Sequence, residues 1–316
     1  MKVRRDLLLF CAVAVVAVGS GWFLLANRPG AAIERFTSET KARAAASRQT
    51  PANSETFRAT VCASSSCILV EAGGLAFIFG AGEGAARGLT ELGLMRPDLD
   101  AAMLPDLEYE TLAGLPDIAR KCLANGRTKP LKVYGPSGLL PVIDGTNLML
   151  SGDRAIRLEV GADGQDQGVE GQLVFDSGVV SIRAFGGQAR GDSRVYRVDF
   201  EGKSLIIGGC ASRTEHIVAA ARGTQAASGV LAAGTSELPP GDHSDCVSIT
   251  DVIRAAGESK FSDLLLAPTK PSATIPGAEA AWREIVAKEK GIAAIPAKTG
   301  FVLDLSGEKP TLRTSN

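Results

Sequence analysis

One structural phrase occurs twice in the chain, and this repetition restricts what it can fold into. Ile68–Gly82 reads Ile-Leu-Val-Glu-Ala-Gly-Gly-Leu-Ala-Phe-Ile-Phe-Gly-Ala-Gly, the pattern of an apolar strand, a two-glycine turn, a second strand and a glycine loop. Glu83–Leu92 follows with the apolar spacing of an amphipathic helix, and Gly93 is its stop signal. Tyr196–Cys210 repeats the parts, with its turn at Gly202. Ser212-Arg213-Thr214-Glu215 has the spacing of a capping box opening a helix through Ala221. A short apolar strand comes after each copy, Ala101–Leu104 and Gly229–Ala233. Each half is too thin to bury its own sheet, so sheet is expected to pack on sheet with helices outside. The predicted fold class is α/β, a four-layer αββα sandwich over residues 56–316. Ala155–Phe185 alternates like further sheet, Lys260–Leu266 reads as a buried strand, Ala278–Lys290 as a helix and Gly300–Leu305 as a terminal strand.

Ahead of that domain lies a membrane signal. Lys2, Arg4 and Arg5 occupy a basic start at residues 1–6, and residues 7–26 (Leu7–Ala26) form an uncharged apolar run. Twenty residues at about 1.5 Å rise span roughly 30 Å, the hydrocarbon thickness of a bilayer. A secretory signal core is usually only about 7–15 residues, so an uncleaved anchor is preferred to a cleaved signal peptide. The basic start stays cytoplasmic by the positive-inside rule. The expectation is a single-pass membrane protein, held by its N-terminal helix, with its C-terminal domain extracytoplasmic (periplasmic in a bacterium). Residues 27–55 are polar and small and read as a linker.

Composition excludes several function classes. With 35 acidic and 34 basic residues the formal charge is −1, so no bulk field attracts nucleic acid, and no nucleic-acid partner is expected. There are only two histidines, His216 and His243, which excludes any mechanism needing three imidazoles. The six cysteines contain no CxxC pair, arguing against a zinc ribbon. Cys62 and Cys67 are near enough in sequence to bridge, unless a strand turns them to opposite faces. Free, buried, inert thiols are the plainer expectation. The odd number of cysteines beyond the anchor leaves at least one thiol free unless it pairs between chains.

The order of motifs resembles the metallo-β-lactamase fold in its ribonuclease Z and arylsulfatase-like branch. Ser65–Leu92, with LVEAGG and FIFGAGEGAARGL, resembles that family's opening hairpin and helix. Met103–Asp117, MLPDLEYETLAGLPD, resembles the segment of its THxHxDH metal motif and the GLPD that follows. Pro130–Gly138, PLKVYGPSG, is similar to PLxVYGPxG, and Tyr196–Cys210 to the GYRI…SGD segment. Gly241–Ala256 resembles the HST region and Leu264–Pro271 the closing LVLTHxSP. The resemblance implies the four-layer fold and an ancestral centre of two zinc ions. It also leaves a homodimer open.

The departures carry the functional expectation. Where the family has His-x-His-x-Asp-His, this chain has Asp106, Leu107, Glu108, Tyr109, Glu110 and Thr111. The family's aspartate after the opening hairpin falls on Gly80, a later histidine on Gln188, the bridging aspartate on Cys210 and the closing histidine on Pro268. His243, in His243-Ser244-Asp245, matches a histidine the family uses for proton transfer. Catalytic zinc needs about three good protein ligands, so the expectation is a metal centre dismantled: no cofactor, and a pseudoenzyme that binds a ligand or protein partner of unknown identity. The alternative is a hydrolase of phosphate or sulfate esters using His243 and Asp245 as an acid–base pair. It would employ one divalent cation (Mg, Mn, Ca or Zn) on Asp106, Glu108 and Glu110, which an extended backbone would place on one side. A further alternative pairs a Cys210 thiolate with His243, its pKa lowered by the helix after Ser212. His216 reads as an ordinary helix histidine. Gly80–Gly84 and Gly135–Gly138 read as backbone turns, since the former lacks the spacing of a dinucleotide fingerprint.

Overall fold

The computed structural model describes residues 54–63, 66–150, 157–162, 171–187, 192–210, 212–232, 247–267, 292 and 294–314. The expected anchor at 7–26, the linker before residue 54 and the helix at 278–290 lie outside them. Among the described residues no helix is long and apolar enough to cross a membrane.

The repeated phrase folds twice, as the pattern requires. In the first copy β2 (Ile68–Ala72) and β3 (Leu75–Phe79) make an antiparallel hairpin about Gly73–Gly74, and α1 (Ala85–Glu91) crosses to β4 (Ala101–Met103), parallel to β3. In the second, β9 (Arg194–Phe200) and β10 (Lys203–Gly208) make the hairpin, and α5 (Thr214–Ala221) crosses to the parallel β11 (Ala227–Ala232). A helix is the usual crossover between parallel neighbours because the chain must return to the same sheet end. Between the copies come α2 (Tyr109–Leu112), α3 (Leu115–Ala124), β5 (Leu131–Tyr134), α4 (Leu139–Met149), β6 (Leu158–Val160), β7 (Gln172–Asp176) and β8 (Ser181–Gly186). After the second copy come α6 (Ile249–Glu258), β12 (Asp263–Ala267), β13 (Ala294–Pro296), β14 (Phe301–Asp304) and β15 (Thr311–Thr314).

One sheet has the order β15-β14-β1-β2-β3-β4-β5-β6 and the other β13-β12-β11-β10-β9-β8-β7, where β1 is Phe57–Val61. Three apolar layers separate the four structural ones. Between the sheets lie Phe57, Phe77, Phe79, Tyr196, Val198, Leu205 and Ile207. Outside the first sheet, Leu69 and Ile78 pack on Leu89, Leu115, Ile118 and Ile143 of the helices. Outside the second, Ile206 and Leu231 pack on Ile217, Val252 and Ile253. The αββα sandwich is thereby observed.

Several local expectations change. Gly300–Leu305 is not terminal: β14 inserts between β1 and β15, so the C-terminal segment completes the first sheet. The buried strand begins at Asp263 rather than Lys260, because Ser259 caps α6 and Lys260 turns with φ +56°. The capping box at Ser212 does not form: Arg213 holds the N-cap position of α5 without a side-chain bond, and the Ser212 hydroxyl is buried with no hydrogen-bond partner among the described residues. A side-chain cap does form on α6, where the Ser248 hydroxyl oxygen accepts from the Asp251 amide at 3.1 Å.

At one end of the sandwich the two sheets are fastened by polar bonds. The fully buried Tyr196 donates its hydroxyl to the Leu104 carbonyl at 2.9 Å, and its ring meets Phe79 edge-on at 5.5 Å. The Arg194 amide donates to the Pro105 carbonyl at 2.6 Å and the Ser137 amide to the Gly187 carbonyl at 2.9 Å. Tyr196→Phe keeps the ring and strands a buried carbonyl, so we expect a loss of about 1–3 kcal/mol in chemical denaturation.

Candidate functional site

The fastened end is where loops carrying the candidate residues meet. Asp106 follows β4 and is 3% exposed, a rare setting for a carboxylate. Its Oδ1 accepts the Glu108 amide at 3.2 Å, while its Oδ2 is buried with no hydrogen-bond partner among the described residues. The loop after β10 seals it: a Cβ at Gly209 would lie 2.6 Å from that Oδ2. Burial raises the Asp106 pKa, and bonding to Thr111 and to the Glu108 backbone only partly offsets it. Thr111 is itself buried, and its carbonyl accepts the Ala81 amide at 2.6 Å, tying the loop after β3 to the same point. Asp106, Thr111 and the Gly209–Cys210 loop are therefore brought together.

The expected acidic row is not. Glu108 is the N-cap of α2 and Glu110 lies in its first turn, so the helix ends the strand-like alternation directly after Asp106. Glu108 is exposed and Glu110 half-buried, while Asp106 points inward. Among the described residues no group of three His, Cys, Asp or Glu side chains is gathered closely enough to hold a metal ion.

Cys210 gives a second correction. Its sulfur is disulfide-bonded, to a cysteine outside the described residues, so it is neither a thiolate nucleophile nor a metal ligand. Cys62 and Cys67 are bridged as well, with Cα atoms 5.2 Å apart. They are not the free thiols expected, for a register reason. Val61 pairs with Ile68 in the β1–β2 ladder, so the next residues out, Cys62 and Cys67, stand opposite each other instead of on opposite faces. Cys122 is free and buried, and burial pushes its thiol up to about 12.

Gly80, which the motif resemblance sets against the family's aspartate, has φ +70°, and a Cβ there would lie 2.1 Å from the Ser66 hydroxyl oxygen. The backbone path that shapes this loop thus leaves no room for a side chain. The same holds beside His216, whose buried Nδ1 has no hydrogen-bond partner among the described residues and lies under Gly186. His243, Asp245, Gln188 and Pro268 lie outside the described residues.

Comparison with solved structures places this architecture. Human tRNase Z, short form, superposes with a TM-score of 0.62 at 16% identity, over 78% of this chain and 98% of that one. The metallo-β-lactamase fold protein YhfI from Bacillus subtilis gives 0.58 at 14%, over 79% and 99%. This chain has the metallo-β-lactamase fold. Unliganded yeast PDE1 is a further neighbour, with a TM-score of 0.60 at 10% identity over 79% of this chain and 99% of that one. The sequence matches no protein-family model and no curated protein. The resemblance read from motif order was correct at the level of the fold, and the neighbours include a ribonuclease Z as that reading implied.

The described residues of this metallo-β-lactamase-fold chain do not by themselves supply a donor set for paired zinc ions. Of the positions described, Gly80 offers no side chain, Glu108 faces solvent, and the sulfur of Cys210 is used in a disulfide. Asp106 contributes one carboxylate, enclosed by protein. A buried acid whose folded pKa is raised favours the folded state below its unfolded value near 4, and that contribution is lost as pH rises toward the folded value. Asp106→Asn removes the charge at constant shape. We expect it to raise the Tm at pH 8 by roughly 2–6 °C and to have little effect at pH 3.5, by thermal unfolding at both pH values.

Proposed function

We propose that the chain is a membrane-tethered, extracytoplasmic protein that has kept the metallo-β-lactamase fold for binding and does not hydrolyse. The disulfide at Cys210 carries this reading. By the motif resemblance it stands where the family has its bridging carboxylate, and a disulfide sulfur has no charge to offer a pair of metals. The filled backbone at Gly80 and the outward Glu108 support the same conclusion. Zinc hydroxide chemistry requires about three protein ligands and an open water position, and no step is assigned here to such a centre.

Metal analysis tests the reading directly. The full chain, purified without chelators, is expected to carry well under one zinc per chain. It is also expected to leave phosphodiester, sulfate-ester and β-lactam substrates intact with Zn²⁺, Mn²⁺ or Mg²⁺ added. Metal-dependent turnover abolished by His243→Ala would replace this reading with that of a hydrolase acting through His243 and Asp245.

The cellular placement rests on the apolar run at 7–26 and on the two disulfides. Disulfides persist in oxidising compartments and are rare in the cytosol. Cys62–Cys67 closes a short loop beneath the site, where the Ser66 carbonyl accepts the Gly82 amide at 2.8 Å. Replacing both cysteines by alanine is expected to cost about 2 kcal/mol, and non-reducing peptide mapping of membrane-derived protein should recover the bridge intact. Recovery of Cys62 and Cys67 as free thiols in a membrane-free fraction would contradict the placement.

A further inference from the structure

Six cysteines leave little freedom in the choice of a partner for Cys210. Cys62 and Cys67 are bridged to each other and Cys122 is free, so only Cys11 and Cys246 remain. Cys11 belongs to the apolar run at 7–26, inside the bilayer in the topology proposed above. Cys246 is the chain neighbour of Val247, whose amide donates to the Cys210 carbonyl at 3.1 Å. A disulfide joins Cα atoms about 4.4–6.8 Å apart, and residues beside a backbone hydrogen bond stand at comparable separations. The thiol count then closes, with two bridges and one free thiol among the five cysteines beyond the anchor.

The loop that ends in Cys210 is the one that covers Asp106. Gly208 ends β10, and Gly209 lies against the acid, where a Cβ would meet Asp106 Oδ2 at 2.6 Å and Pro105 Cβ at 2.7 Å. The Ser212 amide turns back to the Gly209 carbonyl at 3.2 Å before α5 begins. Across from Cys210, Val247 leads into Ser248, the N-cap of α6. The sulfurs of the chain also differ in access. Cys62 and Cys67 are 0% and 1% exposed, whereas Cys210 is half-buried. Thiol–disulfide exchange begins when a thiolate reaches a sulfur, so the bridge at Cys210 is the reducible one.

We infer that Cys210 and Cys246 form a disulfide latch, which holds the Gly208–Cys210 loop shut over Asp106 and opens when a dithiol reduces it. In that reduction the S–S bond breaks, each sulfur takes one electron and one proton to become a thiol, and the dithiol closes to its own disulfide. Opening admits to Asp106 Oδ2 the water that the closed loop excludes. The latch rests on the placement proposed above in two respects, the setting aside of Cys11 and an oxidising compartment. It gives this end of the sandwich two states under redox control.

The test uses the full chain. Peptide mapping under non-reducing conditions is expected to recover a cross-linked pair containing Cys210 and Cys246. Dithiothreitol at neutral pH, without denaturant, is expected to free Cys210 for alkylation at least about tenfold faster than Cys62 or Cys67. Hydrogen exchange then reads the loop: the Glu108 amide, which Asp106 Oδ1 accepts, is expected to exchange at least about tenfold faster after that selective reduction. Cys246→Ser is expected to leave Cys210 open to alkylation without reductant and to lower the Tm by about 5–15 °C. Cys11→Ser is expected to change neither. Where Cys246→Ser does not fold, mapping and selective reduction of the natural chain still decide. Cys210 recovered on another copy of the chain, or Cys246 recovered as a free thiol, overturns the inference and leaves the tether and the non-hydrolytic reading intact. Cys210 recovered on Cys11 overturns the inference and the topology together. Selective reduction with unchanged exchange at Glu108 overturns the latch.

Discussion

The buried hydroxyl of Tyr196 on the Leu104 carbonyl fixes how the two sheets meet. Apolar packing between sheets is nondirectional and tolerates sliding. A hydrogen bond buried in that core does not, because breaking it strands the Leu104 carbonyl out of water. The Arg194–Pro105 and Ser137–Gly187 backbone bonds share that end of the sandwich. Together they hold the loops after β4, β5 and β8 and the start of β9 in one place.

At that end the described groups serve the fold: a glycine closed in by Ser66, a sulfur in a covalent bridge, and a carboxyl enclosed by protein. Asp106 is the exception that keeps a cost. A buried carboxylate with one unmatched oxygen opposes folding whenever it is charged.

Much of the fold was legible because it is written in short-range signals. The hairpins at Gly73–Gly74 and Gly202 and the helices α1 and α5 follow from spacing alone. The candidate site was legible less evenly. Asp106 was found, but the strand-like alternation assumed for Glu108 and Glu110 gave way to a helical turn that spacing does not announce. The covalent bond at Cys210 was not found, because the residue that meets it is set by folding and not by a motif. At Cys62 and Cys67 the answer depended on the cross-strand register, which is a property of the pair and not of either residue.

The sequence by itself determined the layer plan, since two thin apolar hairpin units can hide their sheets only against each other, and it determined the loss of imidazole, since two histidines cannot supply a family of nitrogen ligands. Only the tertiary structure decided which polar groups meet. The contacts of Asp106 with the Gly209 loop, of Tyr196 with Leu104 and of Ser137 with Gly187 join residues far apart along the chain. Such contacts are set by how twisted sheets settle on one another, and local periodicity holds no information about that closure.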